Sequence, residues 1–265
     1  MEYLKIEPAD HLKPYVQWFG LLRNQRSEAL THTFRIVSDG CPGLVFQQTA
    51  DSFYTIDGKP FPHLYLHGPA TAHSQNTAFV TYDMIFVHFQ PQALKAIWGM
   101  DAHELTDGYT ALDSVLKNDL CDRLLSSEDT NEKIALISDF LTQQLIRNHY
   151  KADGRVASFI RQMANNPCSL KEIQSQLNLS ERSLERLIKT NIGLSPKRFM
   201  RINRFQSALR LLDTQPAQLL TYIAYENDYF DQSHYIRDFR EFAGATPKEF
   251  LARANGPLVN FPEWT

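Results

Sequence analysis

A chain of 265 residues with 43% apolar content can bury a sizeable core, and its length favours two domains. No apolar run approaches the roughly 20 residues of a membrane-spanning helix, and the opening MEYLKIEPAD lacks the blocks of a signal peptide, which predicts a cytoplasmic protein with no membrane partner. The formal charge of −3 excludes a uniformly basic nucleic-acid binder, yet residues 152–255 carry 15 Lys and Arg against 11 Asp and Glu while the rest carries 12 against 19. An acidic part joined to a mildly basic one suits a chain in which only one domain meets phosphates.

From the start to about residue 90, YVQWFGLL, FRIVSDGCPGLVFQQ, SFYTIDG, HLYLHGPA and TAFVTYDMIFVHFQ read as strands divided by Gly, Pro and Asp turns. In the last run Val80, Tyr82, Met84 and Phe86 share one face while Phe79, Ile85, Val87 and Phe89 dominate the other, so both faces are expected to be buried in a curled sheet or barrel. Trp18, Tyr65, Phe86 and His88 are read as core, with a small-molecule pocket as the alternative.

His32, His63, His67, His73 and His88 raise the possibility of a metal site, but they form no compact His-x-His followed by Glu that would cluster ligands on adjacent strands, so no metal or other cofactor is expected. Cys41, Cys121 and Cys168 are odd in number and far apart, and are read as reduced thiols. Cys41 sits in a Gly/Pro turn and Cys121 in an apolar helical stripe, unlike the activated nucleophile of a DNA-repair enzyme; no enzymatic activity is expected.

From Pro91 the pattern turns helical through PQALKAIWGM, ALDSVLKNDLCDRLL and NEKIALISDFLTQQLIRNHY. The last is amphipathic, with Ile134, Ile137, Phe140, Leu141, Leu145 and Asn148 on a stripe able to pack on the sheet or on a second subunit. The polar NHYKADG then breaks the pattern and marks a domain boundary near Tyr150–Gly154.

Beyond it the chain repeats. GLSPKRF matches GATPKEF at an offset of 51, pairing Gly193 with Gly244 and Pro196 with Pro247, and the same register sets Arg186 on Arg237. Upstream the offset is 50, pairing Ile173 with Ile223 and Asn178 with Asp228, which places one extra residue in the second turn. Ser169 with Glu172 predicts a capping box, Ser180 and Asp231 predict the caps of the second helix of each unit, and Asn178 and Asp228 suit a left-handed turn position. Each unit is a helix-turn-helix. Phe199, Ile202, Phe205, Leu209 and Leu212 predict one long spacer helix between them.

These residues, and above all IAYENDYFDQSHYIRDFREFAGATPKEF, make the stretch from about 152 to 254 resemble the DNA-binding domain of AraC/XylS-family transcription regulators. The sequence departs from that pattern at Asp228, where Gly is usual, and at Gln174, where a small Ala is usual. The resemblance implies a first recognition helix presenting Glu181, Arg182, Glu185, Arg186 and Lys189, and a second presenting Gln232, Ser233, Ile236 and Arg237, with His234 structural. Arg can read guanine and Gln adenine in bidentate fashion, while Glu185 can accept from cytosine or orient its neighbours. Arg201, Arg204, Arg210 and Arg240 are candidate phosphate contacts.

The expected architecture is α+β: a β-rich domain over 1–150, a cupin-like barrel if the resemblance extends to it, ending in helices; an all-α DNA-binding domain over 152–255; and a tail over 256–265. The expected function is bacterial sequence-specific regulation at double-stranded promoter DNA, answering to a small-molecule effector or partner, with RNA polymerase a further possible partner. Alternatives are a constitutive regulator whose first domain only forms a homodimer, a cupin-type metal enzyme fused to a DNA-binding domain, and a pure interaction protein.

Overall fold

The computed structural model describes residues 2–24, 31–49, 52–79, 81–165, 169–255 and 260–264. Val80 and Cys168 lie outside the described residues. The N-terminal chain forms β1 (Glu2–Ile6), β2 (Val16–Asn24), β3 (Thr31–Ile36), β4 (Gly43–Gln47), β5 (Phe53–Thr55), β6 (Leu64–His67), β7 (Ser74–Phe79), β8 (Tyr82–Phe89) and β9 (Tyr109–Ala111). Two short strands, β10 (Ala254–Asn255) and β11 (Glu263–Trp264), come from the other end of the chain.

The expected β-rich domain is present, as two antiparallel sheets that, among the described residues, do not close on each other. One runs β1-β2-β8-β4-β6-β9 and the other β10-β11-β3-β7-β5. The run TAFVTYDMIFVHFQ, read above as one strand, is two: β7 and β8 belong to different sheets, with exposed Thr81 between them. Alternation of apolar residues persists across such a crossing, so the pattern does not reveal it.

The larger sheet is apolar on both faces because each has its own partner. Phe19, Leu21, Leu44, Phe46, Leu66, Ile85 and Val87 point to a core shared with α1 (Ala93–Trp98), α2 (Leu112–Val115), α3 (Leu120–Ser126) and α4 (Thr130–Asn148). The opposite face meets the smaller sheet through Val45, Tyr65 and Met84 against Phe34 and Phe53. Ile137, Phe140 and Leu141 of α4 are buried in the first of these cores, so its stripe packs within its own domain.

The C-terminal domain is helical: α5 (Gly154–Asn165), α6 (Leu170–Leu177), α7 (Glu181–Ile192), α8 (Pro196–Thr214), α9 (Leu220–Glu226), α10 (Gln232–Ala243) and α11 (Pro247–Arg253). The predicted spacer helix is α8, whose Phe199, Ile202, Phe205, Ala208, Leu209 and Leu212 are all at most 2% exposed. Buried side chains of the larger kinds contribute about 1.5–3 kcal/mol each, so α8 serves as the common core of both units as well as a spacer.

The segment expected as a tail is partly structured. Glu263 pairs with Phe34 in β3 and hydrogen-bonds His32 at 2.5 Å. Phe261 stacks on Phe34 with centroids 4.8 Å apart, and the Arg35 guanidinium lies 3.7 Å from the Trp264 ring centroid. One strand pair is too short to show alternation, which is why the sequence pattern gives no sign of it. No helix among the described residues is long and apolar enough to cross a membrane.

Candidate nucleic-acid interface

Both helix pairs are built from local signals. Ser169 accepts the Glu172 amide while the Glu172 carboxylate accepts the Ser169 amide, which starts α6. Asn178 ends α6 in the left-handed region at φ 52°, and Ser180 caps α7. In the second unit Asp228 takes φ 55° and Asp231 caps α10 by accepting the His234 amide. The step from left-handed residue to cap is two residues in the first unit and three in the second. Partly buried Leu179 and buried Tyr229 both follow the left-handed residue, so Phe230, 86% exposed, is the added one.

Helices α7 and α10, the recognition helices that the resemblance implies, turn polar faces outward because their apolar faces are consumed by the core. Leu184, Ile188 and Ile192 are buried on α7, leaving Arg182, Glu185, Arg186 and Lys189 exposed together with Glu181. Tyr235, Phe239 and Phe242 are buried on α10, leaving Ser233, Arg237 and Arg240 exposed and Ile236 half-buried. Half-buried Gln232 accepts from the Thr221 hydroxyl through Oε1 at 3.4 Å. The structure thus groups the α7 candidates on one helix and the α10 candidates on another.

A cleft of about 1440 Å³ lies beside α8, with Asn203, Ser207 and Arg210 on it, Glu181 at the start of α7 and Arg237 on α10.

Arg201 and Arg204 are placed differently from their expected phosphate-facing role. Both donate to Asp238, a carboxylate 1% exposed on the inward side of α10, at 2.5 and 3.0 Å. Arg201 also donates to Glu241, as does Arg198. Burial pushes the Glu241 carboxyl up, but the hydrogen bonds from Arg201 and Arg198 outweigh it and hold the group below the usual glutamate range. The Arg204 guanidinium covers the Tyr229 ring at 4.4 Å and lies 3.2 Å from His234 Nε2, which accepts from it. His234 is therefore tied into the packing of the second unit, as the sequence implied.

The N-terminal domain grips both units at equivalent places. Gly193 and Gly244 end α7 and α10 at φ 89° and 71°. The Gly193 carbonyl accepts from Thr106 Oγ1 at 2.8 Å, and the Gly244 carbonyl from Arg35 Nη1 at 2.7 Å. The Ser38 amide donates to the Phe242 carbonyl, His73 donates to the Glu241 carbonyl, and Arg198 reaches back to the Thr71 carbonyl. Sequence reasoning missed this set, because contacts between a side chain and a distant main-chain carbonyl leave no spacing to read.

The histidines and cysteine weighed for metal or nucleophilic chemistry have other engagements. His63 Nδ1 donates to the Gln47 carbonyl, His67 Nδ1 to the Gly68 carbonyl, and His88 Nε2 lies 3.6 Å from Asp39. Among the described residues no group of three His, Cys, Asp or Glu side chains converges as metal ligands would. Burial pushes the Cys41 thiol well up, Asp39 adds to this, and a Gln17 hydrogen bond only partly opposes it, the reverse of an activated nucleophile.

Residues 173–253 match a family described as a helix-turn-helix domain, and residues 4–111 match a domain of unknown function, DUF6597. Among solved structures, ToxT from Vibrio cholerae is similar at 9% identity and a TM-score of 0.47, covering 88% of this chain and 97% of its own. A probable AraC family transcriptional regulator from Rhodopseudomonas palustris is similar at 24% identity and a TM-score of 0.34, covering 38% of this chain and 96% of its own. A DNA-binding transcriptional dual regulator from Escherichia coli K-12 is similar at 24% identity and a TM-score of 0.30, covering 37% and 93%. No curated protein matches the chain.

Proposed function

We propose that this chain, which carries an AraC-type helix-turn-helix domain at its C-terminal end, is a sequence-specific regulator of transcription that binds promoter DNA through both units. The observation that carries the reading is the pair of repeat-related helices, each with its apolar side in the core and an exposed face that carries Arg. Arg182, Glu185, Arg186 and Lys189 on α7, and Gln232, Ser233 and Arg237 on α10, are the base-reading candidates. Arg210 and Arg240 are the exposed backbone candidates; Arg201 and Arg204 act by holding α10 on α8.

The spacing supports it. The 19 residues of α8 give a length of about 28 Å at 1.5 Å per residue, comparable with the roughly 34 Å between successive major-groove faces on one side of a duplex. The N-terminal domain, which holds the ends of both recognition helices, would pass the state of a bound small molecule to them. RNA polymerase is the natural further partner of such a protein at a promoter.

The test is selection of binding sites from random double-stranded DNA by the full chain, repeated with Arg186→Ala and Arg237→Ala. The expected result is a motif in two separated parts, with each variant relaxing a different part. An unchanged motif in both variants would remove the assignment, and a chain that retards no DNA would point to the interaction-protein alternative.

A further inference from the structure

The space between the two sheets is not completely filled: a cavity of about 630 Å³ remains, within the size range of small-molecule sites. Strand register puts its floor on one face of the larger sheet. Trp18 pairs with His88 and Gly20 with Phe86, while Gly43 pairs with both His88 and His67. A Cβ on Gly20 would lie 2.3 Å from the Phe86 ring, and one on Gly43 would lie 2.3 Å from His67 Nε2. The two glycines therefore let the Phe86 and His67 rings lie down against the sheet, and the room above them is the cavity.

Trp18, Tyr65, Phe86 and His88, read from the sequence as core, all line it. Polar side chains line it from both sheets, and on the larger sheet's side His67 and His88 stand together, with His88 Nε2 3.6 Å from Asp39. Among the described residues, the lining includes no Lys and no Arg. Burial holds both His67 and His88 below the usual histidine range, which keeps them neutral at pH 7. A carboxylate, sulfonate or phosphate entering this space would shed its hydration and find no cation to receive it.

We infer that the cavity binds a flat, largely apolar, uncharged molecule whose hydrogen-bonding group meets His67 and His88. The inference rests on the proposed sensing role and gives it a ligand class. It also supplies a route for the signal. Thr71 and His73 line the cavity and also hold Arg198 and Glu241, and Asn260 lines it while accepting from Gln206 of α8 at 3.0 Å. Asp39, Cys41, His88 and Asn260 are shared with the cleft beside α8.

The probe is Nile red, uncharged and fluorescent in apolar surroundings, titrated into the full chain and then displaced by 2-naphthamide or 2-naphthoate, which share a ring system and differ in charge. The expected result is saturable single-site binding, displaced by the amide at a concentration about tenfold or more below that needed for the acid. Gly20→Ala, which lifts the Phe86 ring, and Thr55→Trp, which fills the cavity from the β5 side, are each expected to abolish the saturable signal in a chain that still melts cooperatively. Equal or preferential displacement by the acid, absence of saturable binding, or unchanged binding in both variants would overturn the inference. DNA retardation is measured on the same samples without probe: its loss alone counts against the regulator reading and leaves the ligand class standing.

Discussion

Gly193 and Gly244 occupy the same position in the two repeated units, 51 residues apart, and the carbonyl of each accepts a hydrogen bond from a side chain of the N-terminal domain. A single domain thus holds both α7 and α10 by their C-terminal ends, where unpaired carbonyls are available to accept. Any shift of Thr106 relative to Arg35 would change how the two helices are presented to one duplex.

These glycines are also sterically required. A Cβ at Gly193 would meet Pro69 at 2.8 Å and the Ala102 carbonyl at 2.9 Å, and one at Gly244 would meet the His73 ring at 2.4 Å. Both residues have positive φ, where a side chain costs about 1–2 kcal/mol even in open space. Gly193→Ala and Gly244→Ala are therefore expected to lower stability by at least that amount and to loosen the contact between domains, read as faster amide exchange around Thr106 and Arg35 respectively. Variants as stable and as protected as the parent would show that the grip is dispensable.

Asp228 offers the opposite sign. It stands at φ 55° where the resembled family usually has Gly, and its side chain is exposed. Asp228→Gly should leave urea stability unchanged or slightly higher, whereas Asp228→Val should lower it by about 1–2 kcal/mol, since a branched side chain fits the left-handed region worst. Equal stability of the two variants would remove the backbone explanation for this turn.

The helix-turn-helix domain was legible in the sequence because its determinants are local. Ser169 and Glu172, Ser180, Asp231 and the two left-handed residues each act within a few positions of themselves, and the repeat allowed each to be checked against its partner. The paired sheets were legible only as β-rich sequence. Their division depends on which strand Phe34 or Val45 faces across the core, and alternation says that a face is buried without saying against what. Arg201 and Arg204 read from the sequence as candidate phosphate contacts; the partner that holds both, Asp238, lies more than thirty residues away on α10.

Acid should weaken the fold through the cavity histidines. Burial lowers His67 foremost, His88 adding to it against the Gly68 carbonyl and Asp39; burial also lowers His88 foremost, Lys5 adding and Asp39 opposing. Their stabilising contribution is full above the unfolded value of about 6.5 and is lost as pH falls toward their folded values, because the unfolded chain takes up protons that the fold refuses. The melting temperature should therefore decline from pH 7.5 to pH 5, and less steeply in the His67→Gln, His88→Gln double variant. A parental profile flat over that range, or an identical slope in the double variant, would count against neutral buried histidines.

Two classes of arginine should separate cleanly in paired measurements of stability and DNA affinity. Arg186 and Arg237 are exposed, so alanine there should change unfolding free energy by no more than about 0.5 kcal/mol. If each reads a base, its loss should weaken specific binding by about 1–3 kcal/mol and affect non-specific binding far less. Asp238 is 1% exposed and paired with both Arg201 and Arg204, and removing it takes the carboxylate from Arg204 while Arg201 keeps Glu241. Asp238→Ala should cost about 3–5 kcal/mol of stability, the range for breaking a buried ion pair from one side. Its effect on DNA should follow from that unfolding and be recovered at low temperature or in stabilising osmolyte, whereas the loss in Arg186→Ala should persist there. Specific binding should weaken steeply as salt rises, and Arg240→Ala should lower that slope by about one counterion while leaving sequence preference intact. A shifted sequence preference in Arg240→Ala, or a stability loss in Arg186→Ala as large as that in Asp238→Ala, would mean that the exposed and buried charges of α7 and α10 have been assigned the wrong way round.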